Sequence, residues 1–304
     1  MLATSSPSRK SLLRLNPWLE PHLDAVEAAC ATAAGTPPAG AVAARDAASL
    51  ARAHGGAYVW NAWALGMLEL APAFAESPRA TRLWTFAATT DVSQAAGASL
   101  DLGGAVVPGP LRIAGSRFPM GLWASAAQFH GPVDAAGAVF GREATFERAV
   151  FIGPASFEDA TFERGAEFRE ASFRDAASFA RARFRKDAWF RGSVFAGEVS
   201  FRGASFGGEA GLGACSYAKG GDFSEMDFAD NAGFDRARFG GPVSFAATRF
   251  GRNAWFEGAA FADEASFDRA RFQGKVVFDG VETPPKRTGV AAMISEIEAR
   301  LRSG

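Results

Sequence analysis

Phenylalanine recurs at alternating steps of six and five residues over the second half of the chain, so the underlying period is eleven residues. Leu212 and Tyr217 stand at the two positions of the series that lack phenylalanine. A fixed internal period of this kind predicts a solenoid of stacked repeats. The series consists of Phe140, Phe146, Phe151, Phe157, Phe162, Phe168, Phe173, Phe179, Phe184, Phe190, Phe195, Phe201, Phe206, Phe223, Phe228, Phe234, Phe239, Phe245, Phe250, Phe256, Phe261, Phe267, Phe272 and Phe278.

The same period continues towards the N-terminus with weaker apolar residues. From Leu102 to Phe278 the series has 33 positions, and 26 of the chain's 28 phenylalanines occupy them. So regular a placement predicts that these side chains form one continuous core. The earlier positions are Leu102, Val107, Ile113, Phe118, Ala124, Phe129 and Ala135.

A small residue stands two places before most of these positions, as in Ala144, Ala155 and Ala166. Residues two apart on an extended backbone point to the same side, so each short segment turns one large and one small side chain inward. The residues between them are mostly polar and are expected to face solvent. The additional residue of each six-residue step is often a turn former, such as Pro154 or Asn231, which predicts an enlarged corner.

These units resemble those of the bacterial pentapeptide-repeat proteins, as in Ala160-Thr161-Phe162-Glu163-Arg164, and the resemblance covers roughly positions 102–280. It implies a β-solenoid, a right-handed quadrilateral β-helix with one repeat on each face. The inserted residue at alternate steps implies that a coil holds two full periods, which is twenty-two residues rather than twenty. Eight such coils fit between Leu102 and Phe278. A coil of a single period is the alternative, but it would leave little room for two phenylalanines.

The chain is expected to contain three parts. Residues 1–95 are predicted to be helical and to cap the solenoid, and residues 96–280 are the solenoid itself. Residues 281–304 are predicted to form an amphipathic helix, which either caps the last coil or pairs with its copy in a homodimer. The apolar stretch Ala57–Ala75 is interrupted by polar residues and proline, so a membrane span is not expected there.

Composition gives little support for catalysis or for nucleic-acid binding. The 32 basic and 33 acidic residues nearly cancel, whereas a nucleic-acid-binding protein usually has a basic excess. The only histidines are His22, His54 and His130, and no catalytic or metal-binding motif is present, so a non-enzymatic protein without cofactor or metal is predicted. Cys30 and Cys215 lie far apart, which favours a reducing compartment and therefore a cytoplasmic location.

Two features between the core positions differ from the rest of the repeat. Trp123, Trp189 and Trp255 each precede a core position and are spaced by six periods, or three coils, so they should lie on one face. Exposed Trp and Arg are enriched among residues that dominate protein interfaces, so a line of Arg/Trp pairs is the candidate interaction surface. The alternative is a duplicated block of three coils whose tryptophans pack over a corner. The arginines with the same spacing are Arg117, Arg183 and Arg249.

The second feature is the glycine-rich stretch Gly207–Met226, which predicts a looser or kinked coil. Cys215 stands two places before a core position within it, so an inward structural thiol is expected.

The sequence predicts a rigid scaffold that binds another protein. The alternative is a DNA-mimicking inhibitor or protector of a type II topoisomerase, a role known for some relatives. Mimicry needs a strongly acidic surface, and the stretch 118–278 contains 21 acidic against 19 basic residues, so the charge balance opposes it. A third hypothesis places an enzyme in residues 1–95.

Overall fold

The computed structural model describes residues 100–118, 121–283, 294–297 and 299. The predicted helical region 1–95 lies outside these residues. The described part contains 33 strands of two residues each, which form four parallel sheets. We number the four faces of the solenoid in the order in which the chain visits them.

Face 1 consists of β1 (Leu100–Asp101), β5 (Leu122–Trp123), β9 (Ala144–Thr145), β13 (Ala166–Glu167), β17 (Ala188–Trp189), β21 (Ala210–Gly211), β25 (Ala232–Gly233), β29 (Ala254–Trp255) and β33 (Val276–Val277). Face 2 consists of β2 (Val106–Val107), β6 (Gln128–Phe129), β10 (Val150–Phe151), β14 (Ser172–Phe173), β18 (Val194–Phe195), β22 (Ser216–Tyr217), β26 (Arg238–Phe239) and β30 (Ala260–Phe261).

Face 3 consists of β3 (Leu111–Arg112), β7 (Val133–Asp134), β11 (Ala155–Ser156), β15 (Ala177–Ser178), β19 (Val199–Ser200), β23 (Gly221–Asp222), β27 (Val243–Ser244) and β31 (Ala265–Ser266). Face 4 consists of β4 (Arg117–Phe118), β8 (Val139–Phe140), β12 (Thr161–Phe162), β16 (Arg183–Phe184), β20 (Ser205–Phe206), β24 (Asp227–Phe228), β28 (Arg249–Phe250) and β32 (Arg271–Phe272).

Each strand pairs with the strand four places further along the chain, which lies one coil away. On face 4, for example, Phe140 pairs with Phe162, and Phe162 pairs with Phe184, so paired positions differ by twenty-two in the numbering. The predicted four-sided β-solenoid with two periods per coil is therefore confirmed, and the alternative coil of a single period is wrong. Eight such coils stack along the described solenoid.

The aromatic core is ordered in two directions. Along each face the rings stack on one another, and the Phe151 and Phe173 rings lie 4.5 Å apart with planes 2° from parallel. Between faces 1 and 3 the rings meet edge to face, with 5.3 Å and 78° between Phe146 and Phe157. Both geometries suit the quadrupole of an aromatic ring. The core residues are buried almost completely until the last coil, where Phe272 is only partly buried.

The coil has two kinds of corner. After faces 1 and 3 the second residue beyond the inward side chain has a positive φ, and the next amide closes a turn, as when Ala149 N–H donates to Phe146 O at 3.0 Å. These features match a type II turn. The inserted residues, such as Pro154 and Asn231, lie in the wider corners after faces 2 and 4. The left-handed positions were not apparent from residue type, because ten of them are not glycine: Ala126, Arg148, Asp159, Glu170, Arg181, Ala214, Glu225, Arg236, Ala247 and Arg269.

The prediction of a looser coil at Gly207–Met226 is corrected by the structure. The ladder continues through this stretch, since β20 pairs with β24 and Tyr217 pairs with Phe239. The departure is confined to one corner, where Gly220 has a φ of 75° and its N–H donates to Tyr217 O at 3.1 Å. At that point only Ser200 and Asp222 pair between β19 and β23.

Beyond the solenoid, residues 294–297 and 299 are helical. Ile297 is buried and belongs to the apolar core, and Ile294 is partly buried against it. These two side chains therefore pack against the solenoid of their own chain. A homodimer through this helix stays a prediction.

Candidate functional site

The three tryptophans that the sequence singled out lie in one column of face 1. Trp123 is on β5, Trp189 on β17 and Trp255 on β29, each at the outward position of its strand and each half-exposed. With about 4.8 Å between stacked strands, successive indoles stand about 14 Å apart along the rod. Face 1 thus carries a regular series of partly buried aromatic rings.

The three arginines lie on the adjoining face. Arg117, Arg183 and Arg249 are at the outward positions of β4, β16 and β28 on face 4, and all are exposed. The predicted single line of Arg/Trp pairs is therefore corrected to two lines that are separated by the corner between faces 4 and 1. The six-residue separation of each Arg from its Trp includes this corner.

Trp189 packs on its own solenoid. A β-carbon placed at Gly211, its neighbour in the next coil, would lie 2.4 Å from the Trp189 Cε3 atom, so the indole lies directly over the Gly211 backbone. The guanidinium carbon of Arg169 lies 4.9 Å from the ring centroid, within the range of a cation–π contact. A side chain at position 211 would therefore displace this ring.

A second glycine of the same coil lies under an ion pair. Arg191 Nη1 is 3.0 Å from Asp235 Oδ2, and the two residues are 44 positions, or two coils, apart. A β-carbon at Gly213 would lie 2.3 Å from Asp235 Oδ1 and 2.7 Å from Arg191 Nη1. The density of glycines in this stretch therefore makes room for side chains from neighbouring coils. Sequence reasoning did not connect these glycines with the side chains that lie over them, although Gly211 lies one coil after Trp189.

One coil after Gly211, no side chain from a neighbouring coil covers the equivalent glycine, Gly233. A β-carbon at Gly233 would find no atom closer than Asp235 Oδ1, at 3.6 Å. Trp255 is the next outward residue on the face. Gly233 is thus the floor of a shallow recess, which we call the Gly233 recess, with an indole on the coil that follows.

Charge is segregated between the two faces that carry these residues. On face 1 we consider three positions of each coil within residues 121–283: the residue before the strand, the outward strand residue and the residue after the inward side chain. These positions hold eight acidic and three basic residues. We call this set the acidic strip. Its acidic members are Glu143, Glu147, Glu167, Asp187, Glu209, Asp235, Glu257 and Asp279, and its basic members are Arg169, Arg191 and Lys275.

Face 4 has the opposite charge over the same range. Its outward strand position and the two residues after the inward phenylalanine hold eight basic and three acidic residues. We call this set the basic strip. Its basic members are Arg142, Arg164, Arg183, Arg185, Lys186, Arg249, Arg252 and Arg271, and its acidic members are Glu163, Asp227 and Asp230.

The crowding of carboxylates on face 1 is visible at Glu167. Partial burial raises the pKa of this carboxyl, the neighbouring charges of Glu147 and Asp187 raise it further, and Arg169 opposes both effects. Arg169 Nη1 lies 2.6 Å from Glu167 Oε2. The strip therefore holds more negative charge than its own arginines neutralise.

Face 3 carries an open groove of about 700 Å³. Its floor includes the serines Ser156, Ser178 and Ser200, whose Oγ atoms each accept a hydrogen bond from the backbone N–H two residues further on, at 3.3–3.5 Å. No histidine lines the groove in the described part of the chain. The groove therefore lacks the serine–histidine pair that activates a hydroxyl nucleophile.

Cys215 is buried, as the sequence predicted for an inward structural thiol. Its Sγ donates to Phe190 O at 2.9 Å, and burial raises the pKa of the thiol to about 12. A thiol with such a pKa is protonated at neutral pH and is a poor nucleophile.

Tyr217 completes the aromatic stack of face 2, between Phe195 and Phe239. The ring is fully buried, and its hydroxyl lies beside the Cys215 thiol without forming a hydrogen bond of good geometry. A buried polar group without a partner costs about 1–3 kcal/mol. Tyr217 is thus a locally unfavourable replacement within the phenylalanine series.

We expect Tyr217→Phe to raise the free energy of unfolding by about 1–2 kcal/mol, because it removes the unpaired hydroxyl and keeps the stacked ring. Urea denaturation followed by circular dichroism measures the change. Phe195→Tyr, one coil earlier in the same stack, is the matched control and should destabilise. A loss of stability in Tyr217→Phe would show that the hydroxyl is bonded in solution.

Two further properties of the described residues bear on function. Among them, no group of three or more His, Cys, Asp and Glu side chains is arranged to hold a metal ion. In the same part of the chain no helix has the length and apolar character needed to cross a membrane.

Comparison with known proteins identifies the repeat. The family model described as pentapeptide repeats, with nine copies, matches residues 124–172, 168–216 and 223–271, all inside the solenoid. No curated protein and no solved structure matches the chain. The repeat unit, the four-sided coil and the family match agree, and the solenoid of this chain is built of pentapeptide repeats.

Proposed function

We propose that this protein is a non-enzymatic scaffold of the cytoplasm, whose rigid solenoid binds another protein through face 1 and the adjoining face 4. The observation that carries the proposal is the column of three half-exposed tryptophans on face 1. Trp is among the residue types that contribute most to binding energy at protein interfaces. The continuous aromatic core holds the three rings at fixed separations.

The tryptophans are expected to contribute unequally. One side of the Trp189 ring packs against Gly211, and the ring also contacts Arg169. Less of its surface is therefore accessible to a partner. Trp255 stands next to the open Gly233 recess and is better placed to take up a partner side chain. Trp255 is therefore the proposed anchor of the interface.

The test begins with a pull-down from the native host, followed by affinity measurements with the identified partner. We expect Trp255→Ala to weaken binding about 30-fold, the effect of an interface hot spot, and Trp189→Ala to weaken it less. Val194→Ala, at an exposed position of face 2, is the control and should bind normally. Unchanged affinity in the triple variant of Trp123, Trp189 and Trp255 would contradict the proposal.

The topoisomerase hypothesis is the second candidate, and one observation bears on it. The acidic strip of face 1 offers a line of carboxylates, as a mimic of DNA phosphates would. The basic strip on the next face opposes such mimicry. Inhibition of gyrase supercoiling by the purified protein, or its protection from a drug, would place this function ahead of the scaffold.

A further inference from the structure

The basic and acidic strips are complementary in charge and in spacing. Both run along the same rod, and their side chains repeat at the same separation of about 4.8 Å, because both belong to the same stacked coils. When two such rods lie side by side, the charged side chains of each coil on one rod can face those of a coil on the other rod along the whole contact. A matched repeat of opposite charges sets both partner and register.

Ion pairs within one chain leave much of this charge uncompensated. The three acidic residues of the basic strip are all paired within it, through Glu163–Arg185, Asp227–Arg249 and Asp230–Arg252. Among the described residues, the remaining cations have no carboxylate within ion-pair distance. They are Arg142, Arg164, Arg183, Lys186 and Arg271.

The acidic strip shows the same imbalance with opposite sign. Arg169 and Arg191 are engaged by Glu167 and Asp235. The other carboxylates of the strip have no cation within ion-pair distance in the described part of the chain. They are Glu143, Glu147, Asp187, Glu209, Glu257 and Asp279.

Rows of like charges along a ladder are unfavourable in an isolated molecule. Arg142, Arg164 and Lys186 occupy the same position of three successive coils, so their charged groups lie in one row. Like charges that are held this close together repel one another. A surface of opposite charge would relieve this repulsion, and the chain itself carries one.

We propose that copies of this chain associate side by side, with the basic strip of one solenoid against the acidic strip of the next. Faces 4 and 1 are successive sides of a four-sided coil, so each contact turns the next copy by about a quarter of a circle. A head-to-tail contact with this rotation closes into a ring of four copies. The contact would cover the tryptophans of face 1, so a partner that binds these faces would compete with self-association.

Sedimentation velocity of the full chain tests the proposal. Exposed charges interact over about 30 Å at 0.01 M ionic strength and over about 3 Å at 1 M. We expect a faster-sedimenting species that grows with protein concentration at about 0.01 M salt and is lost at about 1 M. A monomer under both conditions would overturn the proposal, even if the basic strip were then found to bind duplex DNA.

Charge reversal identifies the surfaces. One variant combines Arg142→Glu, Arg164→Glu and Lys186→Glu, and a second combines Glu143→Lys, Glu209→Lys and Glu257→Lys. Each variant alone should lose the faster species. An equal mixture should regain it, because each reversed strip then meets a strip of opposite charge on the other variant.

Two controls separate this contact from other causes of association. Arg174→Glu with Arg238→Glu changes two exposed cations on the face 2 side and should leave association intact. Association that survives both strip reversals would contradict the proposal and favour the C-terminal helix as the contact. The Trp255→Ala variant leaves the charges of both strips unchanged, so its affinity for the partner tests the scaffold proposal separately from self-association.

Discussion

Phe168→Ala is expected to lower the free energy of unfolding by about 3–5 kcal/mol, the usual cost of removing a buried phenylalanine ring. The Phe168 ring stacks on Phe146 and Phe190, with centroids 4.8 Å away in both directions. It also meets Phe157 and Phe179 edge to face at 5.4 and 5.3 Å. The substitution therefore leaves a cavity that is lined by the neighbouring aromatic rings.

Two control variants sharpen this result, and urea denaturation followed by circular dichroism measures all three. Phe168→Leu reproduces what Leu212 already does in the same column, so it should cost clearly less than the alanine variant. Ser172→Ala, at the outward position of β14, should change stability by less than about 0.5 kcal/mol. If Phe168→Ala cost no more than Ser172→Ala, the stacked core would not be the source of stability.

Gly220→Ala is expected to destabilise by about 2–5 kcal/mol, for two reasons that add. The residue has a φ of 75°, which side chains with a β-carbon rarely adopt. The new β-carbon would also lie 1.9 Å from Pro242 O in the next coil, so the backbone must shift. This corner is where the glycine-rich stretch departs from the repeat.

Gly203→Ala separates the two contributions. Gly203 has a similar φ of 66°, but a β-carbon there would have only Arg181 Cγ near it, at 3.5 Å. This control should cost about 1–2 kcal/mol, from the conformation alone. Equal losses in both variants, read from thermal melts, would mean that the close approach of Pro242 is absent in solution.

The core of this protein was predictable because its pattern is local and repeated. On an extended backbone, the residues that share a side with each phenylalanine follow from the chain itself, and the period repeats this many times. The inward thiol of Cys215 was predictable for the same reason. The four-sided shape came from the resemblance to a family, since periodicity alone does not fix the number of sides.

The candidate site was less predictable, because it depends on which side chains meet between coils. The column of tryptophans followed from their spacing of six periods and from the coil size. Their separation from the arginines did not, because the corner between faces 4 and 1 lies within the six residues that join each Arg to its Trp. Their functional role was not deducible either, and it remains a proposal.

The sequence by itself determined the inward series and its period, because both are set by neighbours along the chain, and with the family resemblance it determined the coil of two periods. Only the tertiary structure decided that Trp189 covers Gly211, that the Arg191–Asp235 pair passes over Gly213, and that charge separates between two faces. These contacts join residues that lie one or two coils apart. The physical reason is that these contacts depend on side-chain packing, on rotamer choice and on corner geometry between stacked coils. The local sequence pattern does not specify any of the three.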